Sequence, residues 1–456
     1  MSLLNPLSAT SSYDEDCLDS TAFDESKAAT GSLLSNLASA VRYFLCTLLL
    51  VIGGNSGTAF ALTANDCSVA GDNATDATLY EHQFDSGAAW SLCWYIDDAA
   101  GLTITDLHYT APAEQARQVL EQASIGQILL KYDEDTSYSH LLSDRGLGGQ
   151  QTLPTQTGFC EPNNLIVSTV NPEQSICGRF RDLNLMIHLR NETPQRRHEV
   201  SLHSWSRIDN FIYQTIWRLS EDGEFRPSVE ISGKVSRFTD DPRFGSLLDN
   251  VEFAGNEGVQ RLASNATFLI SWRLHFDING DAANDQIHEV EFPVDQTDVI
   301  RRPIALRLME TEELRKVDRE LFRGWRISDE VASSSIDSPE TTRIGYYLDP
   351  QPSGFDYLGR KHNWTLFDMA LTRFNSCEQL SSNNSAVNPG CADNIDFYTN
   401  GEAVSGGSLV VWFNLARHFA PDREDYPAIR ARRADFRILP YDWSAYTPFN
   451  PRTESP

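Results

Sequence analysis

The amino-acid sequence predicts a mainly β protein whose strands pack as a sandwich. Short runs rich in β-branched and aromatic residues recur from about residue 100 onward, and such runs favour strands. Pairs of turn-forming residues separate many of these runs. Few segments show the apolar spacing of an amphipathic helix. Long strand-rich stretches with few helices are typical of a β sandwich.

The predicted elements follow in chain order. After an irregular lead-in over residues 62–100, the clearest predicted strands are 127–132, 212–219 and 267–274. Tight turns are predicted at Glu221-Asp222-Gly223, Asn279-Gly280 and Asn400-Gly401. Two segments have the spacing of helices, Ala113–Ala123 with apolar residues and Glu310–Arg323 with charged ones.

The beginning of the chain predicts a targeting segment. Residues 1–42 are rich in Ser, Ala and Asp and have no apolar periodicity, which indicates disorder. The apolar run Tyr43–Ile52 is too short to span a membrane and suits the core of a signal peptide. Cleavage after Ala59-Phe60-Ala61 would start the mature chain at Leu62 and export it to the periplasm or the medium. The alternatives are a mis-assigned start and an uncleaved membrane anchor over residues 43–60.

The cysteines agree with export. Cys17 and Cys46 lie in the predicted targeting segment, and six cysteines remain, an even number that suits an oxidising compartment. We expect Cys377–Cys391 to close a loop rich in Ser and Asn, and Cys67–Cys93 to tie down the N-terminal extension. Six cysteines allow fifteen pairings in principle.

The charge and the missing motifs exclude several function classes. The formal net charge is −27, and a chain so acidic offers no basic stripe for phosphates, which argues against nucleic acid as a partner. High solubility is the ordinary explanation for this charge. The sequence contains no G-x-S-x-G, H-E-x-x-H or P-loop motif, and no G-x-G-x-x-G that opens a helix.

Five segments share their motifs with one known family, in the family's order. They are Gly101–Tyr132, Leu153–Val167 followed by Ile176-Cys177, Val200–Gly233, Trp272–Gly280 and Leu409–Pro427. Together they resemble the catalytic domain of the copper amine oxidases, which are topaquinone-dependent primary-amine oxidases. The resemblance implies a large twisted antiparallel β supersandwich over residues 101–456, without the smaller domains that precede it in longer members. It also implies a homodimer and a Cys160–Cys177 disulfide.

The position of the family's quinone cofactor holds a phenylalanine. In the segment Ile208-Asp209-Asn210-Phe211-Ile212-Tyr213, Phe211 stands where the resemblance places the tyrosine that copper and oxygen convert into topaquinone. A phenyl ring has no phenolic oxygen to ionise or to bind copper. Tyr213 faces the same side of the strand but lies about 6–7 Å further along it, so we do not expect it to replace the missing precursor.

The positions that the resemblance assigns to copper ligands are also degenerate. The family's H-x-H pair maps onto Asn265 and Thr267, neither of which is a good copper ligand. The third histidine maps onto His418 with a shift of one residue, and a hydrogen-bonded structural histidine is the simpler interpretation of this residue. The catalytic aspartate maps onto Leu141, or onto Asp144 if a small deletion is allowed. Tyr132 matches the tyrosine that contacts the quinone.

A calcium loop is a further candidate after the strand that ends near Phe276. Asp277 matches the second of two aspartates that hold a structural calcium in the family, but His275 replaces the first. Calcium prefers oxygen ligands, and an Asn279-Gly280 hairpin turn with solvated acids explains the same residues. A new metal site formed by His275 and His288 is a second alternative.

Three functions are compatible with this sequence. The first is an exported, catalytically inactive amine oxidase-like protein with a binding or structural role, which needs no cofactor and keeps the old substrate channel as a pocket for a small molecule. The second is an active oxidase that uses copper and topaquinone to convert an amine into an aldehyde, ammonia and hydrogen peroxide. The third is an enzyme with altered chemistry, which requires Asp144, His275 and His418 to converge.

Overall fold

The computed structural model describes most of the chain after residue 61. The described ranges are residues 62–63, 67, 77–153, 158–187, 195–248, 262–295, 300–334, 343–350 and 363–444. The predicted disordered segment and signal peptide, residues 1–61, lie outside them. Among the described residues, no helix is long and apolar enough to cross a membrane.

Strands dominate the described ranges. The first twelve are β1 (Thr78–Gln83), β2 (Ala89–Asp97), β3 (Gly101–Thr110), β4 (Arg117–Tyr132), β5 (Ser139–His140), β6 (Leu165–Val167), β7 (Ser175–Ile187), β8 (Gln195–Ile208), β9 (Phe211–Ser220), β10 (Phe225–Lys234), β11 (Phe238–Thr239) and β12 (Gly245–Leu247). The others are β13 (Leu262–Ser264), β14 (Ala266–Phe276), β15 (Asp285–Glu291), β16 (Ala305–Leu308), β17 (Glu313–Arg315), β18 (Gly324–Ser333), β19 (Arg343–Asp349), β20 (Met369–Arg373), β21 (Leu409–Phe419), β22 (Ala428–Asp435) and β23 (Arg437–Tyr441).

Helices are short. Two single-turn α-helices are α1 (Leu141–Asp144) and α2 (Ile395–Tyr398). The 3₁₀ turns are Gly149–Gln151, Pro162–Asn164, Ile278–Gly280, Ala282–Asn284, Asn363–Leu366, Asn384–Ala386 and Arg423–Asp425.

The strands form two large sheets and one small one. Sheet I has the order β1-β2-β3-β4-β14-β21-β20-β17, with β5 paired to β4. Sheet II has the order β16-β15-β18-β19-β23-β10-β9-β8-β7-β6, with β22 paired to β10. Strands β11, β13 and β12 form the third sheet. The pairings within sheets I and II that the structure describes are antiparallel, so the predicted mainly β, antiparallel fold is confirmed.

The main hydrophobic core lies between sheets I and II. Alternate residues of β14 enter it, namely Ala266, Phe268, Ile270, Trp272, Leu274 and Phe276. From sheet II, Trp217 of β9 meets Trp272 with ring centroids 5.0 Å apart. The intervening residues of β14 point to the other side of sheet I, where Leu269 joins a second cluster with Trp364 and Trp412. Each face of β14 therefore has its own packing partners.

Both predicted helices are wrong. Most of Ala113–Ala123 belongs to β4, which pairs with β3 on one side and β14 on the other. Its buried run satisfies two neighbouring strands, and this tertiary pairing overrides the local helical spacing. Residues 310–323 contain the short strand β17 followed by turns.

The predicted irregular lead-in over residues 62–100 also needs correction. Strands β1 and β2 lie within it, and β2 pairs with β3 in sheet I. The sandwich therefore begins by Thr78. Trp90 and Trp94 of β2 are fully buried, and a strand that carries such large apolar side chains into the core contributes strongly to stability.

Three strand predictions and the three disulfide pairings agree with the structure. The runs 127–132, 212–219 and 267–274 fall within β4, β9 and β14. Gly223, with φ of 85°, closes the predicted turn between β9 and β10. The disulfides Cys67–Cys93, Cys160–Cys177 and Cys377–Cys391 have Cα–Cα distances of 5.4, 5.7 and 5.6 Å, which are typical values.

Candidate functional site

Phe211 is the first residue of β9, directly after a tight hairpin from β8. It pairs with Ile208 of β8 and with Gly233 of β10. Asp209 in the turn has φ of 52°, a conformation that Asp tolerates better than most residues. A side chain at position 233 would meet Asn210 O at 2.2 Å, so glycine is required beside the hairpin. The local backbone therefore fixes Phe211 where strand pairing begins.

The Phe211 ring is buried in an aromatic cluster between the sheets. Its centroid lies 5.2 Å from that of Phe268, with the planes at 80°. Tyr213 lies 6.5 Å from Phe211 and 6.1 Å from Phe268. Edge-to-face contacts of this kind are favourable for aromatic rings. The environment of Phe211 is therefore that of a core residue.

Thr267 and His418 face away from Phe211. They are directly opposite each other in the antiparallel pair of β14 and β21, so their side chains share one face of sheet I. Phe268, the next residue along β14, points to the opposite face and contacts Phe211. The structure thus brings Thr267 and His418 together and separates both from Phe211 by the sheet itself.

The three residues at the positions mapped to copper ligands have the surroundings of residues that stabilise the fold. His418 Nε2 donates a hydrogen bond to Asp133 Oδ2 at 3.0 Å, and the His418 side chain is 45% exposed. Thr267 is fully buried, and its hydroxyl finds no hydrogen-bond partner in the described part of the chain. Asn265 Oδ1 accepts a hydrogen bond from Ser246, and its backbone oxygen accepts one from the Asp133 N–H.

A copper ion does not fit the residues that face Phe211. On that side of β14 and β21 stand Ala266 and Phe268, together with Phe419, which pairs with Ala266. None of these side chains has a nitrogen, oxygen or sulfur donor, which copper requires. The other side of the sheet offers a single imidazole, His418. Across the described ranges, no group of three or more His, Cys, Asp and Glu side chains is arranged to hold a metal ion.

Two tyrosines accompany Phe211 on the inner side. Tyr132 pairs with Ala266 and packs against the core, with the Arg237 guanidinium 4.4 Å from its ring centroid. Burial raises the pKa of Tyr132. Burial also raises the pKa of Tyr213 well above its usual value, and its hydroxyl has no hydrogen-bond partner among the described residues. Because a phenol ionises before it binds copper, Tyr213 is poorly placed to serve as a quinone precursor.

The three residues required for altered chemistry do not converge. His418 lies opposite Thr267, whereas His275 lies opposite Val410 near the other end of β14. Eight residues of strand separate Thr267 from His275, roughly 26 Å at about 3.3 Å per residue. Asp144 is exposed at the end of α1, and α1 is anchored by Gln127 in the middle of β4.

The two histidines proposed as a new metal site belong to different sheets. His275 stacks on Phe374 with centroids 4.2 Å apart, its Nε2 contacts Ser408 Oγ, and burial lowers its pKa to about 3. His288 lies on β15 of sheet II, opposite Leu308 and Arg326. The surroundings of His275 are those of a neutral histidine packed in the fold.

Buried carboxyl groups follow β14. Burial and then Glu121 raise the pKa of Asp277 to about 6, and burial raises the pKa of Asp285 to about 8. Asp285 Oδ2 accepts a hydrogen bond from the Ile278 N–H at 3.0 Å. The Oδ1 atoms of Asp277 and Asp285 have no hydrogen-bond partner in the described ranges. The predicted turn is also present, since Asn279 and Gly280 both have positive φ. Calcium at Asp277 stays a prediction.

Comparisons with known proteins agree with this architecture. A family model described as "Copper amine oxidase, enzyme domain" matches residues 181–455. The chain is 23% identical over 405 residues to a histamine oxidase from Arthrobacter globiformis, covering 78% of this chain and 55% of the relative. It is 21% identical over 266 residues to a primary amine oxidase from Arthrobacter sp. (strain P1), covering 56% and 40%. The chain thus spans about half the length of these curated relatives.

Solved structures show the same fold. A copper-containing benzylamine oxidase from Hansenula polymorpha superimposes with a TM-score of 0.63 at 16% identity, over 80% of this chain and 61% of that chain. An amine oxidase from Aspergillus nidulans gives a TM-score of 0.61 at 17% identity, over 80% and 52%. At these identities the likeness is one of fold.

Proposed function

Because the chain belongs to the copper amine oxidase family, we propose that it is a member without copper or quinone chemistry, which uses the amine oxidase scaffold for binding or as a structural protein. A shared fold does not carry an activity when the reacting groups are missing. The proposal therefore depends on what occupies the place of the reacting groups.

One observation carries the proposal. The Phe211 ring packs edge-to-face on Phe268, in a core that also holds Ala266 and Phe419. A redox metal beside residue 211 would need donors on this face. These side chains are hydrocarbon, and the phenols of Tyr132 and Tyr213 on the same side have pKa values raised by burial. The polar residues Thr267 and His418 lie on the opposite face. The site that would hold the chemistry is packed as hydrophobic core.

This packing also explains how the fold tolerates the loss. A metal centre between sheets places charges and polar ligands in a region of low dielectric, where they need complete pairing. Apolar side chains of similar bulk fill such a region without unsatisfied donors, and packing of this kind is often neutral or stabilising. An apolar lining of Ala266, Phe268 and Phe419 beside residue 211 is therefore compatible with a stable sandwich.

Export and dimerisation belong to the same proposal. Three disulfides in the described chain suit an oxidising compartment outside the cytoplasm. The segment 43–60, which would direct export or anchor the chain, lies outside the described residues. A homodimer follows from family membership, and a small molecule in the former substrate channel is the simplest ligand. Analytical ultracentrifugation of the full chain tests the dimer directly.

Copper loading tests the proposal. The full chain is incubated with Cu(II) in air, dialysed against a chelator, and assayed for copper by mass spectrometry and for quinone by phenylhydrazine absorbance. We expect well under one copper per chain and no coloured adduct. The copper-containing benzylamine oxidase from Hansenula polymorpha serves as positive control for copper retention. One retained copper per chain together with an adduct would refute the proposal.

The variant Phe211→Tyr separates two causes of inactivity. If only the missing phenol blocks cofactor formation, this variant gains a phenylhydrazine adduct after copper loading. We expect no adduct, because Ala266, Phe268 and Phe419 supply no metal donor on the same face. A circular dichroism spectrum that matches the parent protein shows that the variant is folded.

A further inference from the structure

The outer face of sheet II carries a row of arginines on neighbouring strands. Arg179 of β7 lies opposite Ser201 of β8, which lies opposite Arg218 of β9. Arg181, two residues after Arg179, lies opposite Glu199. Residues opposite each other or two apart along a strand share one face. The side chains of Arg179, Arg181 and Arg218, here named the arginine triad, therefore lie on the same face of sheet II as Ser201.

The face that carries the triad is the outer one. On β9, the residues on either side of Arg218 are Trp217 and Leu219, which are buried in the core between the sheets. On β8, Val200 and Leu202 flank Ser201 and belong to the same core. Alternation then directs Ser201 and Arg218 away from the core.

None of the three guanidinium groups has a carboxylate partner within the described ranges. Arg226 lies directly opposite Arg218 and donates two hydrogen bonds to Glu224. Arg179 donates to the backbone oxygen of Phe159 and lies over the Trp205 ring. Arg218 makes no hydrogen bond or ion pair to a described residue, although only 6% of it is exposed. A buried charge without a partner is strongly unfavourable.

The nearest acid does not compensate the triad. Glu199 is 4% exposed, and its Oε1 has no hydrogen-bond partner among the described residues. Burial raises the pKa of Glu199, even though Arg218 and other arginines act in the opposite direction. Two carboxyl groups, Glu199 and Asp435, act on Arg218 and favour its charged form, and they stand against three guanidinium groups. The local charge is positive in a chain whose net charge is −27.

The charges of the same arginines also act on His203. Gln214 donates to its Nδ1 at 2.8 Å, so its Nε2 carries the proton and donates to Ser201 Oγ at 2.8 Å. Burial, followed by the charges of Arg179, Arg181, Arg218 and Arg433, lowers the pKa of His203 to about 3. The imidazole is therefore neutral and is hydrogen-bonded to Ser201.

We infer that the arginine triad forms a binding site for an oxyanion, such as a phosphate, a sulfate or a carboxylate, above Ser201. Guanidinium groups present forked donors that match the oxygen atoms of these anions. Arg218 approaches from β9, and Arg179 and Arg181 approach from β7, so one anion would neutralise charges from two strands. This site lies on the opposite side of sheet II from Phe211 and does not depend on the proposed function.

Calorimetric titration of the full chain tests the site. Inorganic phosphate and sulfate are titrated at constant ionic strength with chloride as reference, and citrate is titrated separately. We expect saturable binding of one anion per chain. Arg218→Gln and Arg181→Gln should each weaken it about tenfold, the usual effect of losing a charge-assisted hydrogen bond. Arg181 is exposed, so its variant tests the site even if Arg218→Gln folds poorly.

The control variant is Arg243→Gln, which removes an arginine whose side chain is 77% exposed and paired with Asp241. It should leave anion binding unchanged. Binding of phosphate and sulfate supports a free inorganic anion as ligand, and binding of citrate alone supports a carboxylate ligand. Absence of saturable binding by all three anions, or equal weakening by Arg243→Gln, would overturn the inference.

Discussion

The two faces of the β14–β21 pair differ in chemistry although they are made by the same two strands. The inner face presents Ala266, Phe268 and Phe419 to Phe211. The outer face presents Thr267 beside His418, whose imidazole is hydrogen-bonded to Asp133. In a strand, a shift of one residue moves a side chain to the other side of the sheet. The difference teaches that the imidazole of His418, at the position mapped to a copper ligand, lies on the face of the sheet opposite to Phe211.

The largest expected effect on the free energy of unfolding comes from removing an aromatic ring from the inner face. Phe268→Ala removes the ring that contacts both Phe211 and Tyr213 and leaves a cavity. We expect a loss of about 3–5 kcal/mol in the free energy of unfolding, measured by urea denaturation. Phe268→Leu, which keeps most of the volume, should lose clearly less. A loss below about 1 kcal/mol for Phe268→Ala would mean that this face is not packed as core.

The turn after β14 contains buried carboxyl groups, which should change stability with pH, unlike the apolar inner face. Burial raises the pKa of Asp285 from 3.8 to about 8, so the folded state holds a proton that the unfolded state releases. This contribution to stability is complete below about pH 4 and is lost as the pH rises through about 8. We expect Asp285→Asn to flatten the decline in Tm between pH 4 and pH 8, which corresponds to a change in the free energy of unfolding of at most roughly 6 kcal/mol.

Adding calcium to this pH experiment tests the predicted calcium site. A bound cation favours the ionised carboxylate and would lower the pKa of Asp285. If calcium binds at Asp277 and Asp285, millimolar calcium raises Tm above pH 7 in the parent protein but not in Asp285→Asn. Equal Tm values with and without calcium, across the whole pH range, would remove the calcium prediction.

On the outer face, replacing a polar group with an apolar one should not lower the free energy of unfolding. Thr267→Val replaces a buried hydroxyl that has no described hydrogen-bond partner with a methyl group of similar size. We expect no loss of stability, or a gain of about 1 kcal/mol, in urea denaturation. Thr267→Ser keeps the hydroxyl and removes the methyl group, and should be less stable than the parent. A loss above about 1 kcal/mol for Thr267→Val would reveal a partner for the hydroxyl.

The smallest expected effect is at His418. Its ion pair with Asp133 is partly exposed to solvent, and exposed pairs contribute about 0–1 kcal/mol. We expect His418→Ala to change the free energy of unfolding by less than about 1 kcal/mol, with the difference shrinking in 1 M salt. Asp133→Asn serves as the matched variant of the partner. A loss of several kcal/mol that salt does not reduce would assign His418 a larger role than this contact.

Much of the fold could be predicted from local patterns. The β-branched and aromatic residues in 212–219 and 267–274 predicted β9 and β14, and Glu221-Asp222-Gly223 predicted the turn between β9 and β10; the structure contains all three. Ala113–Ala123 was predicted incorrectly because its spacing suits a helix locally, whereas β3 and β14 on either side impose a strand. β1 and β2 were also missed. β2 is rich in apolar and aromatic residues, whereas β1 contains Glu81, His82 and Gln83 and is stabilised as a strand by its pairing with β2.

The candidate site was less predictable. The apolar alternation of Ala266, Phe268 and Ile270 was visible in the sequence and indicates which residues of β14 face the core. Motif spacing alone pointed to Asn265 and Thr267, and no linear pattern states which side of the strand meets Phe211. Likewise, the positions of Asp144, His275 and His418 gave no information on their separation, which depends on strand register.

The sequence by itself determined the strand-rich composition, the loss of the phenol at Phe211 and the even set of cysteines, because these are properties of residue identity and short-range spacing. Only the tertiary structure decided that Phe211 meets Phe268, that His418 lies across the sheet from both, and that Arg218 is buried without a described partner. The physical reason is that a strand fixes the alternation of its side chains, whereas only pairing and packing with distant strands decide which of its two faces is buried.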